Sequence, residues 1–184
     1  MALGGWAITE SCLKWMVANV PAGSKVLEFG SGDGTAEMTK HFIMTSIEQD
    51  LKWVDKYDSR YIYAPIHDKN WYDWLDLEIG EIQDDYALIL IDGPYNPMVS
   101  NTIAEDIVIN ARQDNARHGI QDYYLAHPTL FENCFLVFDD TNRENDRLIC
   151  DWFISQGFEH IVSIADPNCP NKKQFTVVRK NVNH

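Results

Sequence analysis

Cysteine is scarce in this chain. Four residues among 184 (Cys12, Cys134, Cys150 and Cys169) are widely scattered, with no Cys-x-x-Cys pair. That spacing disfavours a disulfide framework or a zinc site, so reduced thiols in a cytoplasmic setting are expected. Basic residues are few as well, 15 against 28 acidic ones, for a net charge of −13. Such a field repels phosphate backbones and anionic lipid surfaces, so neither nucleic acid nor a membrane is an expected partner. Long apolar runs are missing too. The stretches at 87–91 and 134–138 are far too short to cross a bilayer, and the first residues lack the basic flank and apolar core of a secretion signal. Internal repeats, low-complexity tracts and linkers are absent. A small neutral or cationic ligand meets none of these barriers.

What is present is alternation. Short β-rich apolar runs at 25–29, 43–48, 61–63, 86–91, 134–138, 160–165 and 175–179 are separated by helical stretches. The pattern predicts one α/β domain over 1–184, with a seven-stranded, mostly parallel sheet and helices on both faces. Helices are expected at 7–19, 35–41, 51–57, 71–79, 103–111 and 147–156, the last stopped by Gly157. The segment 1–22 reads as an N-terminal helical piece. The final two strands flank a loop containing Pro167 and Pro170, so they can pair antiparallel. The acidic run 73–85 reads as a solvated helix face and loop, and Lys172-Lys173 as exposed.

The most informative segment is Val26-Leu-Glu-Phe-Gly-Ser-Gly-Asp-Gly-Thr35, which places Gly30, Gly32 and Gly34 between a strand and a helix. Glycine lets a backbone turn tightly and approach a ligand closely, and a following helix supplies free N–H groups. The spacing does not fit the dinucleotide fingerprint Gly-x-Gly-x-x-Gly, which disfavours a nicotinamide oxidoreductase. It fits acidic-x-Gly-x-Gly-x-Gly, led by Glu28. Glu48 closes the second strand, about twenty residues later, where a carboxylate can accept ribose hydroxyls. Asp68 follows the third.

With these features the chain resembles the class I S-adenosylmethionine-dependent methyltransferases, over residues 26–179. The resemblance implies that S-adenosylmethionine is bound by Glu28, Gly30, Gly32, Gly34, Glu48 and Asp68, the last at the adenine amino group with His67 or Trp71 nearby. It also implies a substrate lid at 95–130, where Arg112, Arg117, His118 and Tyr123 are candidates, and where His127 before Pro128 reads as structural. Trp6 is a candidate to close over the cofactor.

The chemistry is expected after the fourth and fifth strands, which end Leu90-Ile-Asp-Gly-Pro-Tyr95 and Val137-Phe-Asp-Asp-Thr141. Asp92, Asp139 and Asp140 would then share one mouth, with Tyr95 beside them. Two readings stay open. Metal-dependent small-molecule O-methyltransferases of the catechol type carry an aspartate after the fourth strand and an Asp-Asn pair after the fifth. That likeness implies Mg²⁺ or another divalent cation on Asp92, Asp139 and Asp140, with catalysis through Asp92, Tyr95 and Asp139. In this chain Asp140 replaces the asparagine and Tyr95 stands where that family has its lysine. Asp92-Gly-Pro-Tyr95 also resembles the Asp/Asn-Pro-Pro-Tyr motif of amino-group methyltransferases, lacking its first proline. The expectation is methyl transfer to an oxygen of a small-molecule or sugar-like acceptor. The alternatives are an amino acceptor, or a non-catalytic module that binds S-adenosylmethionine and acts through protein contacts. A homo-oligomer is compatible with all of these.

Overall fold

The structure, a computed structural model, describes residues 8–66, 71–83, 85–94, 116–169 and 172–180. Seven strands form one sheet: β1 (Lys25–Phe29), β2 (Ile43–Glu48), β3 (Arg60–Tyr63), β4 (Leu88–Ile91), β5 (Phe135–Phe138), β6 (Phe158–Ala165) and β7 (Gln174–Lys180). Their order is β3-β2-β1-β4-β5-β7-β6. The first five pair in parallel, while β7 runs antiparallel between β5 and β6. The strand order reverses between β1 and β4, and ligands of open α/β sheets collect outside the strand ends at such a reversal.

Successive side chains of a strand point to opposite faces, so the apolar strands feed two cores. Val26, Leu88, Leu90, Val137, Phe175 and Val177 pack on one face against α1 (Glu10–Asn19) and α2 (Asp33–Met38). Leu27, Phe29, Ile89, Ile91, Leu136 and Phe138 pack on the other. There they meet α3 (Trp74–Ile79), α4 (Gly119–Ala126) and α5 (Glu144–Ser155). The expected fold class is therefore the observed one. No helix among the described residues is long and apolar enough to cross a membrane.

The differences have local causes. Residues 51–57, expected as a helix, form turns: the Asp50 side chain accepts from Lys52 N–H, Trp53 N–H closes on the Asp50 carbonyl, and Asp55 sits at φ 58°. A left-handed residue ends any right-handed helix. The helix expected from 71 starts at Trp74, because Asp73 caps it by accepting from Leu75 and Asp76 N–H, and Tyr72 bridges Ile66 instead. The α5 helix begins three residues earlier than expected, and α2 two. Residues 116–131, within the stretch expected as a lid, hold two 3₁₀ turns around α4 and contribute Ile120, Tyr123, Tyr124, Leu130 and Phe131 to the core. Their tyrosines hide the periodicity of that helix. The helix expected at 103–111 lies outside the described residues, as do Trp6, His67, Asp68, Tyr95 and Arg112.

Candidate active site

The turn after β1 is built by close backbone approach. Gly30 lies at φ +90°, and a Cβ there would stand 2.7 Å from the Gly93 Cα and 2.8 Å from the Gly93 nitrogen. The ends of β1 and β4 therefore touch without side chains between them. Gly32 has an extended φ of −162° and precedes α2, while Gly34 is buried in its first turn. Gly30 is thus the one glycine of the three whose left-handed backbone demands it.

Two carboxylates hold this turn in shape. Glu28 is 2% exposed, and its Oε2 accepts from Thr35 Oγ1 and Ser46 Oγ, each at 2.8 Å. Thr35 Oγ1 in turn accepts from Gly32 N–H at 3.1 Å. Glu28 therefore braces the turn from inside the sheet. Glu48 Oε2 accepts from Ser31 N–H at 2.7 Å, and its Oε1 from Gln49 and Asp50 N–H at 2.8 Å. A carboxylate has about four acceptor sites, so Glu48 keeps roughly one for a ligand hydroxyl while fixed in this way. Beside it, Tyr61 Oη and Ser31 Oγ are 2.9 Å apart, and Tyr57 Oη donates to Asp33 Oδ1 at 2.6 Å. The loop after β2 is thereby fastened to the glycine turn.

Burial pushes the Glu28 carboxyl up from its ordinary 4.5 to about 8, against the pull of the Ser46 and Thr35 hydroxyls. A carboxyl raised in the folded state contributes stability that is complete below about 4.5 and is lost as pH rises through about 8. Glu28→Gln keeps an acceptor and has no charge to bury. Its stability relative to wild type should therefore improve by about 2–4 kcal/mol between pH 5 and pH 9 in urea unfolding, since each tenfold change in proton affinity is worth ~1.4 kcal/mol. A gap that stays flat with pH would mean that Glu28 does not titrate in this range.

Asp92, Asp139 and Asp140 converge as the sequence predicts. One carboxylate oxygen from each lies within 4.8 Å of the others, at the carboxyl ends of β4 and β5. Asp139 is fully buried, and among the described residues neither of its oxygens has a hydrogen-bond partner. Burial, then the charges of Asp92 and Asp140, raise the Asp139 carboxyl well above the usual carboxylate range. Burial also raises Asp92, while the Arg117 guanidinium pulls it back.

Sequence reasoning missed the cations around this trio. Arg117, named above as a lid candidate, has a side chain only 11% exposed. Its Nη2 lies 3.2 Å from Asp92 Oδ1 and 3.5 Å from Asp140 Oδ2, and its Nη1 is 3.2 Å from Asp146 Oδ1. It also donates to the backbone carbonyls of Asp92 and Asp139. Lys173, expected to be exposed, is 16% exposed, with Nζ 3.6 Å from Asp139 Oδ2 and 3.4 Å from Asp140 Oδ1. The antiparallel β5–β7 pairing explains this position. Phe138 pairs with Thr176, so the chain entering β7 runs alongside the residues that leave β5, and Lys173 reaches back to Asp139 and Asp140. Burial works against the Lys173 charge, but Asp139, Asp140 and Asp92 together raise its pKa above the ordinary value. Arg143 reaches Asp140, and its Nε lies 2.9 Å from Asp146 Oδ2. Of the other lid candidates, Tyr123 is buried in an aromatic cluster with Phe29 and Trp74, and His127 stacks on Tyr123 with ring centroids 4.6 Å apart. His118 Nδ1 lies 3.4 Å from Gln121 Oε1.

No family model matches the chain, and no curated protein does. Solved structures do. A precorrin-6y C5,15-methyltransferase from Geobacter metallireducens is 9% identical, with 98% of this chain and 94% of that one covered and a TM-score of 0.56. The N-methyltransferase NodS from Bradyrhizobium japonicum is 13% identical, with coverage of 92% and 93% and a TM-score of 0.56. Human methyltransferase-like protein 13 in complex with SAH is 11% identical, with coverage of 92% and 77% and a TM-score of 0.51. At such identities the likeness is one of fold: this chain has the Rossmann-like architecture of those methyltransferases.

Proposed function

We propose that the chain is an S-adenosylmethionine-dependent methyltransferase acting on a small-molecule or sugar-like oxygen acceptor. The carrying observation is the fastening of Glu48 to Ser31 N–H, which sets a carboxylate and a left-handed Gly30 side by side at the reversal of strand order. The methionine end would lie along Gly30–Gly34, and Glu48 would use its remaining acceptor site on the ribose. Asp68 is proposed for the adenine amino group on sequence grounds. Solved structures of this fold include both an N-methyltransferase and a precorrin-6y C5,15-methyltransferase, so the fold leaves the acceptor open. The net charge of −13 favours a small acceptor over a polyanion.

Asp92, Asp139 and Asp140 fit a divalent cation in donor type and convergence, and the buried Asp139 oxygens, which have no hydrogen-bond partner among the described residues, suit such an ion. When bound, the cation would lower the pKa of an acceptor hydroxyl. The chain itself does the rest. Asp92, with a side chain 16% exposed, faces the acceptor, and Arg117 fixes it by both its carboxylate and its carbonyl. Tyr95, three residues on, is proposed as a further acceptor contact. In-line alignment of the nucleophile with the methyl group is the main catalytic demand.

Calorimetry on the purified chain tests the cofactor reading. S-adenosylhomocysteine should release or absorb measurable heat, and NAD should not. Glu48→Ala should weaken S-adenosylhomocysteine about 10–100-fold, the usual effect of losing a hydrogen bond to a charged group. No heat with the donor or its demethylated product would end the proposal. Methyl transfer lost in Asp92→Ala, with cofactor binding kept, separates an enzyme from a binding module.

A further inference from the structure

The connection between β2 and β3 carries no helix, so its shape rests on turns and side chains. Its near end sets Glu48. The Gln49 and Asp50 N–H groups donate to Glu48 Oε1, and the Asp50 side chain and carbonyl accept from Lys52 and Trp53 N–H. Its far end is fixed from outside. Tyr57 Oη donates to Asp33 Oδ1 at 2.6 Å, and Lys56 Nζ lies 3.7 Å from the same oxygen. That ammonium also stands 3.6 Å from the centre of the Trp53 ring and 5.2 Å from that of Tyr57. One cation, two rings and one carboxylate thus form a knot. Burial and the Asp33 carboxylate push the Tyr57 hydroxyl up to about 12, so it stays a donor at neutral pH.

The anchor of this knot belongs to the glycine turn. Asp33 is the first residue of α2, between Gly32 and Gly34, and Ser31, two residues earlier, donates its N–H to Glu48 Oε2. The contacts therefore close a ring. It runs from Asp33 to Tyr57, back along the loop to Asp50 and Glu48, and through Ser31 to Asp33 again. Contacts this exposed add little to global stability, with the side chains of Asp33 and Lys56 52% and 41% exposed. What they do is take freedom from a loop that no helix stiffens, so that less has to be ordered when a ligand binds. We infer that Tyr57 and Lys56 are positioning residues for the cofactor, which act through Asp33 to hold Glu48 in the geometry that accepts the ribose. The inference rests on the proposed ribose role of Glu48. It extends the cofactor site to a side-chain cluster that acts without touching the ligand.

The probe is S-adenosylhomocysteine, titrated calorimetrically into the full-length chain. Tyr57→Phe keeps the ring and removes the donor. It should bind about threefold to tenfold more weakly than wild type, less than a hydrogen bond to a charged group can give because the pair is exposed. Lys56→Met should fall in the same range, while Lys56→Arg, which keeps a cation over Trp53, should stay within about twofold of wild type. Glu48 identifies the route. In a Glu48→Ala background, Tyr57→Phe should cost less than about a further twofold, because residues that act through one contact are not additive. In the ligand-free chain, the Ser31, Gln49 and Asp50 amides that hold Glu48 should exchange hydrogen faster in Tyr57→Phe than in wild type. Urea unfolding reports that each variant is folded, and Asp33→Ala, which breaks the knot from its other side, serves if Tyr57→Phe is not. Unchanged affinity or unchanged exchange in Tyr57→Phe overturns the positioning role and leaves the cofactor reading standing. A loss that keeps its full size in the Glu48→Ala background also overturns it, since the knot would then act elsewhere. No binding by wild type removes the cofactor reading and this inference together.

Discussion

Gly30→Ala is expected to lose about 2–5 kcal/mol of stability, a large share of what a domain of this size has to lose. Two costs combine. A side chain at φ +90° is strained by about 1–2 kcal/mol. The new Cβ would also stand 2.7 Å from the Gly93 Cα, and overpacking against such neighbours costs about 1–3 kcal/mol. The neighbour cannot give way easily, because Gly93 N–H donates to the Phe29 carbonyl while Gly30 N–H donates to that of Ile47. Gly23→Ala is the control. Gly23 also has a positive φ, +77°, but a Cβ there meets nothing within 4 Å. It should lose only the conformational part, about 1 kcal/mol. Denaturant unfolding of both variants therefore isolates the close approach of β1 and β4. Equal losses would show that the contact at Gly93 yields, and that the turn is less tightly built than the geometry implies.

The contrast between those glycines shows what the sequence could and could not tell. That a glycine turn follows β1 was readable from Val26 to Thr35, because a strand pattern runs straight into it. That Gly30 is the strained one, and that its partner is Gly93 some sixty positions away, depends on β1 pairing with β4, which no local pattern announces. Strands β4 and β5 were readable because they are wholly apolar and buried at nearly every position. The turns at 51–57 were not, since Trp53, Val54 and Tyr57 mimic a helical face while Asp50 closes the chain on itself. The site divides the same way. Its carboxylates lie at strand ends and were predicted. Its cations arrive from distant segments, Arg117 ahead of α4 and Lys173 ahead of β7. A lysine that follows a loop of prolines and asparagines reads as solvated until antiparallel β5–β7 pairing carries it to Asp139.

Arg117 should be the most consequential of these residues, and its substitution has a pH signature. Arg117→Ala leaves Asp92, Asp140 and Asp146 without the guanidinium that lies 3.2–3.5 Å from each of them. Removing one member of a buried ion cluster typically costs about 3–5 kcal/mol, because the remaining charges stay buried. Arg117→Met restores the stem's packing but not the charge, so it should recover only the smaller, apolar part of the loss. Burial already raises the Asp92 carboxyl above 3.8, and Arg117 is the largest influence opposing that rise. Without the arginine, Asp92 titrates at a higher pH in the folded state. Stability tied to such a raised carboxyl is present below its unfolded value and lost as pH rises through the folded one. The deficit of Arg117→Met against wild type should therefore be smallest near pH 4 and widen toward pH 8 in urea unfolding. A deficit of the same size at both ends would mean that Arg117 acts through its two carbonyl contacts on the ends of β4 and β5, and not through charge. Asp92→Asn combined with Arg117→Met separates the two causes: it should reduce the pH dependence and leave what the carbonyl contacts and the other carboxylates contribute.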